Sequence, residues 1–354
     1  MIKDTYNVLG VMSGTSLDGI DLALCKFEKK QRWSYTIVKS NTISYSPFWK
    51  NYLQDLVNKD LEALKVIDEK YTRYLGEAIH NFISEHDITD IDFISSHGHT
   101  ALHQPEKGLT YQIGNLSSLA NFTKLTVVCD FRTQDVDFGG QGAPLVPIGD
   151  HYLFSDYDYC INLGGFANIS FQNEKDRIAY DICPVNIVLN RYVKKFNLEY
   201  DDSGKIAASG NLNTLLLNDL NQLDYYKKSY PKSLGLEWVN NVFCKVIARY
   251  EISNKDILRT LVEHIVIQIS SSVKKSNSKI LISGGGAYNK FLIERLKTHT
   301  NNTIVVPDKE IIEFKEALIF AFLGVLRIRG ENNCLKSVTG AIKDHCSGKI
   351  YSPK

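Results

Sequence analysis

Several common patterns are missing from this chain of 354 residues. Lys and Arg number 41 against 40 Asp and Glu, so no surplus charge attracts nucleic acid or an anionic membrane. No run of about 18 apolar residues occurs, which argues against a membrane-spanning helix. The absence of any C-x-x-C pair and of any G-x-x-x-x-G-K-[ST] motif argues against a zinc ribbon and excludes a P-loop nucleotide site.

The cysteines do not have the pattern of a disulfide framework. Seven cysteines are scattered along the chain, an odd number without close pairs. This usage is typical of free thiols in a reducing compartment. The first residues, Met1–Leu9, include Lys3 and Asp4 but no apolar run of signal-peptide length. We therefore expect a cytoplasmic protein.

Length and composition indicate an ordinary globular enzyme with two domains. A chain of 354 residues exceeds the usual size of one hydrophobic core, so two domains or lobes are expected. Hydrophobic residues make up 44% and charged residues 23%, which is the balance of a soluble globular protein.

Three segments share one arrangement, in which an apolar strand leads into a tight turn of small residues. They are Val8–Met12 before residues 13–19, Tyr159–Leu163 before Gly164-Gly165, and Ile280–Ser283 before residues 284–286. The first two turns are followed by another strand, which completes a hairpin. Such units in each half of the chain predict a duplicated α/β architecture with a cleft between the halves.

Other elements follow from apolar periodicity. Recurrence at three and four residues predicts amphipathic helices over 61–85, 255–274 and 309–329. Two further strands, Phe93–Ser96 and Leu125–Phe131, fit the first lobe. The polar segment Asn211–Lys232 is predicted to be a surface excursion.

The glycine turns favour a phosphate site. Backbone N–H groups approach a phosphate only where side chains are absent. In the first turn, Asp18 and Asp21 could hold Mg²⁺ through water. A plain hairpin turn explains one such loop equally well, but three in one chain favour nucleotide binding. Residues 284–289 lack the final glycine of a dinucleotide fingerprint, which disfavours a Rossmann site.

A histidine cluster offers a different chemistry. His97 and His99 would face the same side of a strand, and His103 follows. Metal hydrolases use H-x-H spacing, so a metal-dependent hydrolase is the alternative from another reaction class. No later His, Cys and Asp grouping has ligand-like spacing. We therefore favour hydrogen-bonded pocket histidines, and we expect no metal held by a dedicated set of side chains.

Arg132 lies at the end of an apolar strand, where α/β proteins place ligands, and Asp181 follows the second hairpin, near the expected cleft. Arg132 could bind a carboxylate through two hydrogen bonds; the alternative is an Asp–Arg pair that fixes a loop. Asp181 could take a proton from a hydroxyl or a water. Its alternative is a place at the entrance of a helix from about Asn186, which Pro184 also suits.

These segments, with several others, resemble the anhydro-N-acetylmuramic acid kinase family. The matching stretches follow one another over nearly the whole chain: Gly10–Asp21, His97-Gly98, Gln112–Gly114, Asp130–Arg132, Gly139–Pro147, Asn162–Ile169, Ala207–Gly210, Pro231–Ser233, Gly284–Ala287 with Asn289, Glu316-Ala317 and Val338–Ala341. The resemblance implies an actin-like ATPase fold of the ribonuclease H-like kind, with two lobes and MgATP in the interlobe cleft. Lobe I would comprise residues 1–133 with about 335–354, and lobe II about 134–334.

The resemblance also implies a double reaction. Water attacks the anomeric carbon of 1,6-anhydro-N-acetylmuramic acid, the internal ether opens, and the released O6 takes the γ-phosphate of ATP. The product is N-acetylmuramic acid 6-phosphate, an intermediate of cell-wall sugar recycling. Another sugar kinase of this fold and a non-catalytic nucleotide-binding module are the competing possibilities, besides the hydrolase.

The family's functional positions fall on residues of this chain. Asp181 falls on the catalytic base. Substrate-binding positions fall on Ser13, His99, Arg132 and Glu316. Nucleotide-binding positions fall on Gly14, Thr15, Ser16, Leu17, Asp18, Gly19, Ile20, Asp21, Gly164, Gly165, Asn168, Gly284, Gly285 and Gly286.

This chain departs from the family near the proposed sugar site. It has His99 where the family commonly has glutamine, and Cys183 and Val185 where it commonly has glycines. The expected ligands are an amino sugar, ATP and Mg²⁺, with neither nucleic acid nor membrane as a partner. The sequence leaves open whether the chain forms a homodimer.

Overall fold

The chain folds into two units. The computed structural model describes residues 2–14 and 17–354. Unit 1 comprises Met1–Leu153 and Phe314–Lys354, and unit 2 comprises Phe154–Glu313. The boundaries expected near residues 133 and 335 differ from these. Residues 134–153 and 314–334 were expected in lobe II but belong to unit 1. They are joined there by an ion pair of 2.6 Å between Lys315 and Asp150.

The strands of the described residues are numbered in chain order. They are β1 (Thr5–Ser13), β2 (Gly19–Lys29), β3 (Trp33–Ser44), β4 (Phe93–Gln104), β5 (Leu109–Ile113), β6 (Val127–Cys129), β7 (Tyr159–Leu163), β8 (Phe166–Asn173), β9 (Asp176–Pro184), β10 (Lys279–Ser283), β11 (Thr303–Val305) and β12 (Lys349–Tyr351).

The two units repeat one sheet topology. In unit 1 the order is β12-β6-β4-β1-β2-β3, with β5 paired to β4. Strands β1, β2 and β3 are antiparallel, whereas β4 and β6 continue the sheet parallel to β1. In unit 2 the order β11-β10-β7-β8-β9 has the same directions, with β7 in the place of β1. The predicted duplicated strand-hairpin core is therefore confirmed.

The α-helices of the described residues are numbered likewise. They are α1 (Pro47–Gln54), α2 (Leu61–Glu85), α3 (Ser118–Thr123), α4 (Thr133–Asp137), α5 (Val146–Leu153), α6 (Asn186–Val193), α7 (Lys205–Ala208), α8 (Thr214–Asn221), α9 (Asp224–Lys227), α10 (Leu236–Trp238), α11 (Cys244–Ile247), α12 (Asn254–Ser272), α13 (Lys290–His299), α14 (Lys309–Arg329) and α15 (Lys336–Thr339). Short 3-10 turns lie at Leu56–Asn58, Pro105–Lys107, Lys194–Phe196, Asp202–Gly204 and Gly285–Tyr288, and a π-helical turn spans Val239–Phe243.

The predicted helices are confirmed, and one predicted surface segment is partly buried. The bounds of α2 and α14 match the expected ranges, and α12 matches within two residues. The segment 211–232, predicted to be a surface excursion, contains α8 and α9, and α8 packs into a core. Leu216 and Leu220 explain the difference, because these apolar side chains of α8 are fully buried in the core of unit 2.

Helix α14 lies directly against the central strand of unit 1. A Cβ atom at Gly10 of β1 would lie 2.1 Å from the carbonyl oxygen of Ala317, so only glycine permits this approach. Ser95 of β4 donates a hydrogen bond of 2.5 Å to the carbonyl of Phe320, which fixes the helix further along. The motif glycine in β1 therefore serves packing. Of the helices described, none has the length and apolar character to cross a bilayer.

Candidate functional site

The first glycine turn is a hairpin loop between β1 and β2. Ser13 at the end of β1 pairs with Ile20, next to the first residue of β2. Thr15 and Ser16, both predicted to bind nucleotide, lie outside the described residues. Leu17 has a φ of 61°, and its N–H donates to the Gly14 carbonyl over 3.4 Å. This left-handed conformation closes the turn in spite of a side chain.

The residues after the turn differ in what they can offer a ligand. Ile20 is fully buried in the core of unit 1, so its side chain cannot reach a nucleotide. Gly19 is confined by β3, since a Cβ there would lie 2.5 Å from the Ile43 carbonyl oxygen. Asp18 is exposed, and Asp21 accepts a hydrogen bond of 2.6 Å from the Thr42 hydroxyl. The two carboxylates are the groups here that suit a hydrated cation.

Ser13 belongs to a buried ring of hydroxyl groups. Its Oγ lies 2.6 Å from the Tyr45 hydroxyl, 2.7 Å from the Tyr71 hydroxyl and 2.9 Å from Nδ1 of His99. The two tyrosine hydroxyls are themselves 2.8 Å apart. A serine hydroxyl has one donor and two acceptor sites, and three partners occupy them. Ser13 therefore positions its neighbours and has no hydrogen bond left for a sugar.

Burial keeps this ring of side chains neutral. Desolvation lowers the pKa of His99 to about 4 and raises the pKa of Tyr45 to about 12. The same cause raises the pKa of Tyr71. The ring of His99 contacts Ser13 through Nδ1, and its Nε2 makes no hydrogen bond to a described residue. The ring therefore offers one neutral imidazole nitrogen to a polar ligand.

Arg132 is held by two acceptors. Its Nε donates to Nε2 of His97 over 3.0 Å, and its Nη1 donates to the Gly142 carbonyl over 2.6 Å. Nδ1 of His97 donates to the Gly98 carbonyl over 2.8 Å, which fixes the tautomer that accepts from Arg132. Burial lowers the pKa of Arg132, but a guanidinium remains charged in proteins. Nη2 has no hydrogen-bond partner among the described residues and is free to bind an anion.

Glu316 lies on α14, next to the contact between that helix and β1. Its side chain reaches solvent, yet the surrounding protein raises the pKa of its carboxyl by desolvation. The positive charges of Arg132 and Lys315 oppose this shift. Of the charges near Arg132, that of Glu316 raises the pKa of the guanidinium most. Unit 1 therefore combines a guanidinium, a carboxyl and a neutral imidazole among the predicted sugar-binding residues.

The three motif histidines each contact protein groups. Both ring nitrogens of His97 are engaged, with Gly98 and Arg132. Nδ1 of His103 lies 3.1 Å from the Thr110 hydroxyl, and His99 faces Ser13. Among the described residues, the group with metal-ligand geometry is a different one and contains none of the three. The hydrolase alternative finds no support in this arrangement.

In unit 2 the other two glycine turns converge. Strands β7 and β10 are parallel neighbours, and Asn162 pairs with Ser283, so both turns leave the same edge of the sheet. Gly284 has a φ of 80°, and a Cβ there would lie 2.4 Å from Oδ1 of Asn162. A Cβ at Gly286 would lie 2.7 Å from that of Leu163. Glycine is therefore required where the turns meet.

The start of α6 is hydrogen-bonded to the turn that follows β7. The N–H groups of Val185 and Ile187 donate to the Gly165 carbonyl over 2.8 and 3.2 Å. The Asn186 N–H donates to the Gly164 carbonyl, and its side chain donates to the Leu163 carbonyl, both over 3.2 Å. Sequence reasoning missed Asn162 and Asn186 as site residues. The pairing of β7 with β10 reveals them, and the sequence alone does not.

Asp181 ends a row of polar side chains across three strands. Asn162 of β7 pairs with Asn168 of β8, and Asn168 pairs with Asp181 of β9. Residues in cross-strand register project from the same face of a sheet. Asn168 is exposed and the other two are half-buried, so the row lines an accessible surface beside the glycine turns. Two predicted residues, Asn168 and Asp181, are thereby brought together.

The carboxyl group of Asp181 is held by a neighbouring loop. Its Oδ2 accepts from the Leu234 N–H over 2.9 Å, and its backbone carbonyl accepts from the Tyr225 hydroxyl over 2.6 Å. Desolvation raises the pKa of Asp181, and the Leu234 N–H only partly offsets it. A carboxylate with a raised pKa is a stronger base than an exposed one.

The helix expected from about Asn186 is confirmed, but Asp181 does not cap it. Asp181 lies inside β9, and α6 begins five residues later at Asn186 with Val185 as its N-cap. Val185 makes no side-chain capping bond. Cys183 and Val185, the departures from the family pattern, are fully buried in the core of unit 2. They therefore change packing behind the polar row and not its accessible surface.

The family profile and the curated relatives at 31–34% identity give one family. The profile of the family described as Anhydro-N-acetylmuramic acid kinase matches residues 6–353. A protein of that name from Hydrogenovibrio crunogenus is 34% identical, over 98% of this chain and 98% of its own. Another from Pseudomonas syringae pv. syringae is 31% identical, over 97% and 98%. A solved ROK family glucokinase from Streptomyces griseus with glucose and AMPPNP is 12% identical over 90% of this chain and 98% of its own, with a TM-score of 0.40.

Proposed function

Because the chain belongs to the anhydro-N-acetylmuramic acid kinase family, we propose that it opens 1,6-anhydro-N-acetylmuramic acid with water and phosphorylates the released O6 from ATP. The products are N-acetylmuramic acid 6-phosphate and ADP. We place this reaction in the cytoplasm, in the recycling of cell-wall sugars. Seven free cysteines, as expected from the sequence, are consistent with a reducing compartment.

The desolvated carboxylate of Asp181 is the observation that supports this function best. Ring opening needs a base that removes a proton from water as its oxygen attacks C1. As the C1–O bond forms, the C1–O6 bond breaks and its electron pair remains on O6. O6 then attacks the γ-phosphorus, ADP leaves, and the proton held by Asp181 passes to solvent. The Leu234 N–H orients the carboxyl throughout.

The glycine turns of unit 2 supply a surface for the nucleotide. Backbone groups at Gly165 and Gly285 are open, since a Cβ at either position would meet no atom closer than 3.9 Å. Such turns let phosphate oxygens approach main-chain N–H groups. Phosphoryl transfer asks a protein mainly for positioning and charge neutralisation, which these turns suit.

Magnesium fits the carboxylates of the first hairpin. Asp18 and Asp21 present hard oxygen donors, and the Thr42 hydroxyl already fixes Asp21. We propose that these two residues hold Mg²⁺ through water. When bound, the ion neutralises charge on the phosphate oxygens.

Unit 1 offers groups for each polar part of the sugar. The free Nη2 of Arg132 suits the lactyl carboxylate, because guanidinium and carboxylate form strong charge-assisted hydrogen bonds. Nε2 of His99 suits the acetamido group or a ring hydroxyl, with Ser13 as its positioning residue. Glu316 can accept from a sugar hydroxyl. These roles refine the predicted contacts by moving Ser13 behind His99.

A coupled ADP-release assay tests the proposal. Purified protein with MgATP should release ADP with 1,6-anhydro-N-acetylmuramic acid and much more slowly with other amino sugars. Mass spectrometry should find a product heavier than the substrate by one water and one phosphoryl group. Turnover of a different hexose without turnover of the anhydro sugar would retain a kinase and refute this substrate.

A further inference from the structure

Three buried side chains of unit 1 converge in a place that the reaction does not use. Asp135 lies on α4, and Cys334 and His345 face each other in an isolated β-bridge near the C-terminus. Their exposed fractions are 0%, 2% and 4%. One ligand atom from each lies within 4.8 Å of the other two. A carboxylate, a thiol and an imidazole thus share one small interior space.

One atom of this group lacks a partner. Nδ1 of His345 lies 3.1 Å from the Lys343 carbonyl, which can only accept, so Nδ1 carries the proton. Nε2 then presents a lone pair and makes no hydrogen bond to a described residue. It faces Oδ1 of Asp135, another acceptor, over 3.5 Å. Two buried acceptors that face each other are unfavourable unless a cation or proton lies between them.

Asp135 and His345 are oriented by further contacts. Oδ2 of Asp135 accepts from the Gly142 N–H and Oδ1 accepts from the Thr339 hydroxyl, both over 2.7 Å. A carboxylate oxygen has a second lone pair, so Oδ1 can still bind a cation. Metal-binding histidines usually donate their other N–H to a carbonyl or carboxylate, as His345 does to Lys343.

We propose that Asp135, Cys334 and His345 bind a thiophilic divalent cation, with Zn²⁺ as the best match to one oxygen, one sulfur and one nitrogen donor. Zinc accepts this donor set in tetrahedral sites, whereas magnesium and calcium prefer oxygen alone. Binding displaces the thiol proton to solvent, and the carboxylate and thiolate charges balance the dication. A water or the Thr339 hydroxyl would complete the tetrahedron.

A cation bound at this site would affect Arg132 through Gly142. Gly142 donates its N–H to Asp135 and accepts from Nη1 of Arg132 through its carbonyl. A cation that fixes Asp135 therefore stiffens the support of the guanidinium. This consequence for sugar binding rests on the proposed function, whereas cation binding itself does not.

Titration of untagged, chelator-treated protein with Co²⁺ tests the site without an activity assay. We expect one Co²⁺ per chain, a thiolate-to-cobalt charge-transfer absorption, and displacement of cobalt by Zn²⁺. Cys334→Ser should abolish this absorption, and His345→Gln should weaken cobalt binding by at least the roughly 10–100-fold typical of lost supporting contacts. Cys346→Ser is the matched control and should bind as the wild type, because its thiol lies outside the cluster.

Several outcomes would overturn the proposal. They are no cobalt binding at micromolar concentration, an unchanged absorption in Cys334→Ser, or an equal loss in Cys346→Ser. If the variants fail to fold, X-ray absorption of zinc-loaded wild type decides. One sulfur at about 2.3 Å supports the site, and a zinc environment without sulfur refutes it. In that case a proton, and not a cation, lies between Nε2 of His345 and Oδ1 of Asp135.

Discussion

Asp181→Asn separates catalysis from folding. The asparagine side-chain oxygen can accept the same Leu234 N–H hydrogen bond of 2.9 Å, so the loop contact is retained. The variant loses the negative charge and with it the ability to take a proton from water. Binding of MgATP should remain within a few-fold of the wild type, because the glycine turns are untouched.

The expected size of the effect follows from the role of a general base. Such a group typically contributes about 10²–10⁴-fold, which corresponds to about 3–5 kcal/mol in the activation barrier. The free energy of unfolding of the variant, in contrast, should be equal to or higher than that of the wild type. Desolvation raises the pKa of Asp181 in the folded state above the unfolded value of 3.8, so ionisation opposes folding. This penalty is absent below pH 3.8 and complete above the folded pKa.

The assay therefore has two readouts. The kcat/KM for the anhydro sugar should fall by the stated factor, and the melting temperature at pH 7 should equal or exceed that of the wild type. The acid limb of the wild-type pH profile should lie above the ordinary aspartate range and be missing from the residual activity of the variant. Asp176→Asn is the control, because Asp176 is exposed on the same strand β9. Retained activity, or unfolding of Asp181→Asn with a folded control, would refute the assigned role.

Three further predictions concern ligands and packing. MgATP at about 100 times its Kd should stabilise the protein by about 2.7 kcal/mol in a thermal titration, and no response would refute nucleotide binding. Arg132→Ala should raise KM for the anhydro sugar far more than for ATP. A substrate without the lactyl group should lose more kcat/KM with the wild type than with this variant, and equal losses would show that Arg132 is structural. Gly10→Ala should destabilise the protein by about 1–3 kcal/mol or more in urea, because its Cβ would clash with the Ala317 carbonyl. Gly165→Ala is its control and should be near neutral, since its Cβ would meet nothing closer than 3.9 Å.

Local patterns predicted the elements because local forces determine them. Helices α2 and α14 have regular apolar spacing, so their bounds follow from periodicity. The sequence likewise predicts the β1–β2 and β7–β8 hairpins, because glycines mark their turns and apolar residues alternate along their strands. Helix α8 was missed because the segment around it is mostly polar, although Leu216 and Leu220 are buried.

The site could be predicted only in part because long-range pairing builds it. The sequence predicts Asp181 as a site residue, but its orientation comes from the Leu234 N–H, more than fifty positions away in the chain. Asn162 and Asn186 became visible only once β7 was seen beside β10. The cluster of Asp135 with Cys334 and His345 joins distant segments, so ligand spacing in the sequence does not reveal it.

The coupling of ring opening to phosphorylation is the central claim, and one time course tests it directly. Anhydro sugar consumed, ADP released and N-acetylmuramic acid 6-phosphate formed should be measured in the same reaction. The account predicts equal amounts of all three at every time point, with no free N-acetylmuramic acid. Accumulation of unphosphorylated open sugar, or ADP release without loss of the anhydro sugar, would contradict it.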